Sequence, residues 1–261
     1  MLAIDLSGRG AVVTGGGRGI GAAVARALAA AGARVVVSAR SGAEIALVAA
    51  ELAASGHEAH AIECDVTDPE SIERLRAGAA ERLGRVDILV NNAGISSSAP
   101  LKRQSLEEWR RLFAVNVEGT FLATKAFLPE MVEAKWGRVV NVASVAGRTG
   151  AAYISAYAAT KHAVIGFTRA LAAEVAASGV TVNAVCPGYV DTPMTDRSIE
   201  NITAKTGIDG GEARRRLVEA SPQRRLITSE EVAFLVATLC DERARGIHGQ
   251  TLGVDGGMFL G

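Results

Sequence analysis

The chain of 261 residues predicts a doubly wound α/β fold. Three observations carry this. Short apolar runs alternate with longer helix-like segments from one end to the other. The runs are apolar at nearly every position rather than at every second one, the mark of a parallel sheet covered on both faces. Glycines follow the first helical segments, where a helix stops.

The first run, 11–13, ends at a glycine cluster. A helical pattern over 20–31 follows and is closed by Gly32. Val35, Val36 and Val37 make the second strand, and a helix over 43–54 is closed by Gly56. Residues 59–64 read as the third strand and 69–83 as the third helix. Pro69 suits a first helical turn, with Asp68 or Thr67 as its cap. The fourth strand is 87–91, and two helical segments follow, 106–116 and 119–134. The fifth strand, 138–142, leads to a long helix over 154–178. Residues 180–185 form the sixth strand, 232–240 a helix, and 251–254 a final short strand. The rhythm breaks at 188–225, a polar insertion without clear helices. Such an insertion at the carboxyl end of a sheet is commonly a lid or a substrate loop. No linker or internal repeat divides the chain, so one domain over 1–261 is expected.

Composition excludes several classes of function. Lysine plus arginine equal aspartate plus glutamate, 28 each, so no overall field draws the chain to nucleic acid or an anionic membrane. Hydrophobic residues make up 49%, yet no apolar run approaches the roughly 18 residues of a membrane span. The first ten residues hold no signal-peptide core. Cys64, Cys186 and Cys240 are far apart and form no CxxC or Cys/His cluster. Neither a disulfide framework nor a metal site is expected, and a cytoplasmic location fits. Among the histidines only His57 and His60 are closely spaced, in a loop and strand start, and they read as polar surface residues.

The first strand runs into Thr14-Gly15-Gly16-Gly17-Arg18-Gly19-Ile20-Gly21, where a helix begins. Glycines there allow a tight turn and let backbone amides approach a pyrophosphate, which faces the helix amino terminus. The loop lacks the GK[ST] of a P-loop. A fold that prefers NAD carries an acid at the end of the second strand. This chain has Ala39 and then Arg40, which can pair with a 2′-phosphate, assisted by Arg18. NADP(H) is therefore expected over NAD(H). Asp65, after the third strand, is placed to accept from the adenine amino group or to cap the next helix.

Tyr157 and Lys161 stand one helical turn apart on one face. A lysine beside a phenol favours the phenolate and lowers its pKa from about 10. A tyrosine so tuned can exchange a proton with an alcohol or a ketone. Tyr153, one turn earlier, has no lysine four residues on and reads as a pocket wall. Ser144 lacks a GxSxG elbow, so a hydrolase triad has no support.

Taken together, the loop at 14–21, Asn91-Asn92-Ala93-Gly94, Asn116, Ser144, Tyr157xxxLys161 and Pro187-Gly188 resemble the short-chain dehydrogenase/reductase family over essentially the whole chain. The resemblance implies a Rossmann-type seven-stranded parallel sheet, a nicotinamide cofactor and a homotetramer. It implies that Tyr157 exchanges the proton with the substrate oxygen, that Ser144 orients that oxygen, and that Lys161 binds the nicotinamide ribose. Asn116 would hold a water leading from Lys161 to solvent. Thr14, Gly15, Gly17, Arg18, Gly19, Ile20 and Gly21 would hold the cofactor phosphates. Asp65, Val66, Asn91, Asn92, Ala93 and Gly94 would line its adenosine side. Pro187, Gly188, Val190 and Thr192 would shape the nicotinamide pocket. The substrate would meet Ser144, Tyr157, Tyr153, Gly188 and Tyr189.

The segment 182–194 is similar to bacterial 3-oxoacyl reductases and polyketide ketoreductases, and also to 3-hydroxybutyrate dehydrogenases. A 3-oxoacyl thioester or polyketide-like ketone is the expected substrate, free or bound to coenzyme A or a carrier protein. Arg214, Arg215, Arg216, Arg224 and Arg225 in the insertion read either as phosphate ligands for such a carrier arm or as a solvated helix face. Two alternatives stand beside this reading: a dehydrogenase of a small secondary alcohol or 3-hydroxy acid, and a nucleotide-sensing protein without turnover.

Overall fold

Strand β1 (Gly10–Thr14) is buried at every position, because neighbours cover both its edges and both its faces. In the computed structural model, which describes residues 3–260, it pairs in parallel with β2 (Arg34–Ala39) and with β4 (Ile88–Asn91). The one-domain expectation over 1–261 thus includes residues 1, 2 and 261, which lie outside the described residues. Seven parallel strands run in the order β3-β2-β1-β4-β5-β6-β7. The remaining strands are β3 (Ala59–Glu63), β5 (Gly137–Val142), β6 (Val180–Pro187) and β7 (Thr251–Val254).

Alternate residues of each strand face opposite sides. Val12, Val36, Leu89, Val139 and Val182 pack against α3 (Pro69–Leu83), α5 (Gly119–Glu133) and α6 (Ser155–Val175). Val13, Val35, Val37, Val90, Val140 and Val185 pack against α1 (Gly19–Ala30), α2 (Gly42–Ala54) and α9 (Ser229–Cys240). With helices on both faces, the central strands β1, β2 and β4 have no polar face to show, which is why those runs read as almost continuously apolar. Strand order reverses between β1 and β4. That crevice, at the carboxyl ends of the strands, is where doubly wound sheets take their ligands.

Four expectations differ from the structure. The two helices expected over 106–116 and 119–134 are one continuous body. Helix α4 (Leu106–Phe113) passes through a π turn at Ala114–Glu118 into α5. The wider turn changes which side chains face inward, and Asn116 is the one that becomes buried. Helix α6 stops at Val175 instead of 178, because the Ser178 amide and hydroxyl both bond the Val175 carbonyl. The insertion is not loop. It holds α7 (Pro193–Thr206) and α8 (Gly210–Glu219), the second capped by Asp209. Helix α9 begins before 232, since Thr228 and Glu231 form a capping box.

Candidate active site

The site lies at the carboxyl ends of β1, β4, β5 and β6. Ser144 follows β5 in an extended conformation, and its hydroxyl accepts the Ala146 amide at 3.1 Å. Tyr157 lies in the first turn of α6 beside the Ser144 side chain. Lys161, one turn on, is buried, and its Nζ donates to the Val142 carbonyl at 2.9 Å. The same Nζ stands 5.8 Å from the centre of the Tyr157 ring. Tyr189, after β6, completes the group around the phenol, and burial pushes its own phenol up.

The protonation states differ from the sequence expectation. Burial pushes the Tyr157 phenol above its ordinary value, with the Ser144 side chain opposing. Lys161 does not lower it in the chain alone, because its ammonium turns to the Val142 carbonyl and is itself in a poor place for charge. Burial brings Lys161 down to about 8.

Asn116 has a packing role that the sequence did not disclose. Its Oδ1 accepts the Ile95 amide at 2.9 Å, and its Nδ2 donates to the Ile95 carbonyl at 2.9 Å and to Thr160 Oγ1 at 3.0 Å. It thereby fastens the strand β4 exit to α6. The buried thiol of Cys186 is a further neighbour, beside the Ser144 backbone and close to Lys161. No spacing rule marks it, because it arrives from the end of β6.

The nucleotide end is built around Thr14. Its hydroxyl accepts the amides of Asn92 and Ala93, both at 3.1 Å, and the Asn92 side chain donates to the carbonyls of Thr14 and Gly15. Asn91 departs from its expected place along the adenosine. It is buried and ties Thr124 to Asn141, because its side chain points into the α5 side of the sheet. Gly15 has φ +64°, and a Cβ on Gly21 would strike the Gly15 carbonyl. Gly17 and Ile20 complete the loop and the first turn, and Gly19 faces the Thr192 methyl across the crevice.

Arg18 is the N-cap of α1 and supplies no side-chain bond there, whereas Ser41, Asp68, Ser105, Asp209 and Thr228 each cap their helix. The α1 amino end thus keeps its first-turn amides for an anion. A Cβ at Gly94 would stand 3.3 Å from Asn116 Oδ1 and 3.7 Å from Lys161 Nζ, so the glycine leaves a lane between those polar atoms. Uncapped amides at one end and an open polar lane at the other fit an extended dinucleotide.

Arg40 is exposed at the end of β2 and lies near Asp65. Arg18 bonds Glu44 at 2.9 Å in an exposed pair, a contact weak enough to exchange. Asp65 Oδ1 accepts the Thr67 amide and hydroxyl. Burial raises its carboxyl, but the Thr67 bonds and Arg40 outweigh that and hold it below the usual value. The cap of α3 is Asp68. Val66 is buried against Gly119.

Beyond β6, the Gly188 amide donates to the Val254 carbonyl at 3.0 Å, so Pro187 and Gly188 are braced by β7. The Val190 carbonyl accepts the hydroxyls of Thr192 and Thr195. Tyr153 is not in the inner group. Its side chain is 64% exposed, at the mouth of the site. The arginines of the insertion are engaged locally: Arg214 with Asp191 at 2.9 Å, Arg215 and Arg216 with Glu212, and Arg225 with Glu231. The solvated-face reading describes these four, and Arg224 has φ 51° in the turn between them.

The short chain dehydrogenase family profile matches residues 9–203. A 3-oxoacyl-(acyl-carrier-protein) reductase of Aquifex aeolicus is 41% identical over 98% of this chain and 99% of its own length. A granaticin polyketide synthase putative ketoacyl reductase of Streptomyces violaceoruber is 40% identical over 95% of this chain and 92% of its own. A D-beta-hydroxybutyrate dehydrogenase of Cupriavidus necator is 39% identical over 97% and 98%. Among solved structures, an actinorhodin polyketide ketoreductase with NADPH superposes with a TM-score of 0.93 at 40% identity, covering 96% of this chain and 97% of that one. With its parallel sheet, its uncapped first helix and its serine, tyrosine and lysine gathered beside the switch point, this chain belongs to the short chain dehydrogenase family.

Proposed function

We propose that this protein is an NADP(H)-dependent ketoreductase acting on a 3-oxoacyl thioester or a polyketide-like ketone. The observation that carries the reading is that Ser144 meets the Tyr157 phenol while the buried Lys161, one turn on, lies beside the Tyr157 ring and close to Gly94. A nicotinamide held beside these side chains, in the pocket shaped by Pro187, Gly188, Val190 and Thr192, would supply the hydride. The Tyr157 hydroxyl holds the proton that passes to the substrate oxygen, and its raised pKa keeps it protonated at neutral pH. The Ser144 hydroxyl orients the same oxygen. The Val142 carbonyl takes one donor of Lys161, and two remain for ribose hydroxyls and for steadying the phenol. Asn116 keeps one lone pair of Oδ1 for a water near Lys161. Relatives that reduce carrier-bound acyl groups support a carrier-held substrate.

The test is NADPH oxidation by acetoacetyl thioesters, free 3-oxo acids and bicyclic ketones, paired with NAD(P)+ reduction by free 3-hydroxy acids and simple alcohols. Thioesters or bicyclic ketones should lead. Leadership by free 3-hydroxy acids with NAD would transfer the assignment to the 3-hydroxy acid dehydrogenase reading, which the likeness to D-beta-hydroxybutyrate dehydrogenase supports. Cofactor binding with no turnover of any compound would sustain the nucleotide-sensing reading.

Arg40 is proposed to select the 2′-phosphate. Arg40→Asp should lower kcat/KM with NADPH by about 10- to 100-fold, the worth of a charge-assisted pair, and improve the value with NADH. Unchanged selectivity would remove Arg40 from the cofactor site.

We further propose one domain over 1–261 with 188–225 as its substrate insertion, a cytoplasmic location and a homotetramer. Exposed Trp109, Phe121 and Val132 on α4 and α5, with the half-buried Phe167 of α6 edge-on to Phe121, support association through that face. Light scattering should give the mass of four chains, and a monomer would overturn it. Among the described residues no helix is long and apolar enough to cross a membrane.

A further inference from the structure

Three stretches surround the mouth of the site: the loop after β4, the segment before α6, and α7. All leave the carboxyl ends of neighbouring strands. Ser98 and Ala99 join them. Asn201 Nδ2 donates to Ser98 Oγ at 2.8 Å, and Lys205 Nζ donates to the Ser98 carbonyl at 2.6 Å. The Ala99 amide donates to the Tyr153 carbonyl at 2.8 Å.

Both ends of this chain of bonds are lightly held. Helix α7 buries only Thr195 and has no side-chain cap at its amino end. Beside its packing on α8, its carboxyl half is tied to the loop after β4 by Asn201 and Lys205. Thr203, between them, has its hydroxyl shielded from solvent without a partner, a cost that opening would relieve. Tyr153 has φ 71°, a left-handed conformation unfavourable for a tyrosine and sustained by its surroundings.

We propose that Ser98–Ala99 is a clasp. Asn201 and Lys205 are positioning residues that hold α7 closed over the substrate cleft and, through Ala99, hold the Tyr153 wall in place. Releasing α7 loosens both walls together, so substrate entry and the Tyr153 backbone are coupled. This deepens the ketoreductase reading and rests on it only for its kinetic consequence.

Hydrogen exchange on the full-length Asn201→Ala/Lys205→Met variant, with and without NADPH, tests the coupling. The Ala99 amide touches neither substituted side chain, yet it should exchange about tenfold faster, as expected when an opening equilibrium shifts by one lost bond or two. The KM for the ketone should rise several-fold while kcat and the NADPH affinity hold. Lys205→Arg, which keeps a donor, should restore protection in the Asn201 background. Ser98→Ala removes only the hydroxyl and should give a smaller effect of the same sign, should the double variant fold poorly. Faster exchange in α7 with unchanged exchange at Ala99 would overturn the clasp. So would a loss of NADPH affinity parallel to the rise in KM. If no ketone is turned over, the exchange result still decides, and the ketoreductase reading fails separately.

Discussion

Tyr157→Phe is expected to lower kcat for ketone reduction by about 10²–10⁴-fold, the range for loss of a positioned general acid, with the fold intact. The half-buried ring keeps its packing, and only the hydroxyl beside Ser144 is lost. Circular dichroism and NADPH titration should match the parent chain. Tyr153→Phe is the control: its ring is largely exposed and outside the inner group, so kcat should change little. A collapse of kcat in Tyr153→Phe, with activity kept in Tyr157→Phe, would reverse the assignment. Since burial holds the phenol above its ordinary value, the proton donor persists across neutral pH. A fall in reduction beginning near pH 8 is expected instead from Lys161, whose charge is lost there.

Lys161→Met should abolish turnover and, at neutral pH, stabilise the protein. Burial depresses the folded-state pKa of Lys161 to about 8 from an ordinary value of 10.5. Between those values the unfolded chain binds more protons than the folded one, so stability rises with pH across that window. Below about pH 8 both states are charged, and the penalty of burying the ammonium is present in full. Methionine removes that penalty but forfeits the bond to the Val142 carbonyl, for a net gain of ~1–3 kcal/mol at pH 7. Urea unfolding at pH 7 and pH 10 checks it: the gain should be present at the first and nearly gone at the second. A variant less stable at both would mean that the Val142 bond outweighs desolvation. The expected result places a cost of folding in the residue the chemistry needs.

The regular elements were legible because local signals and burial agree. Continuous apolar runs at 11–13, 35–37 and 180–185 need two covered faces, and the helices that α1, α3 and α5 supply are readable from periodicity and caps. The π turn was not legible, because a single widened turn leaves the composition of 106–134 helical throughout. Helices α7 and α8 were obscured because their exposed faces carry charge on most positions and few residues are buried.

The same division holds at the site. The sequence by itself determined which chemical groups exist: a tyrosine and a lysine one turn apart, a glycine loop opening a helix, and an arginine where NAD-dependent folds place an acid. Spacing within one helix or one turn is local, so it survives in the sequence. Only the tertiary structure decided how these groups are charged and where they point. Lys161 turns to Val142, Asn116 fastens Ile95 to Thr160, Cys186 arrives beside Ser144, and Ser98 joins α7 to the Tyr153 wall. Each of these depends on residues far apart in the chain and on burial, which shifts a pKa through lost solvation that no neighbouring letter records.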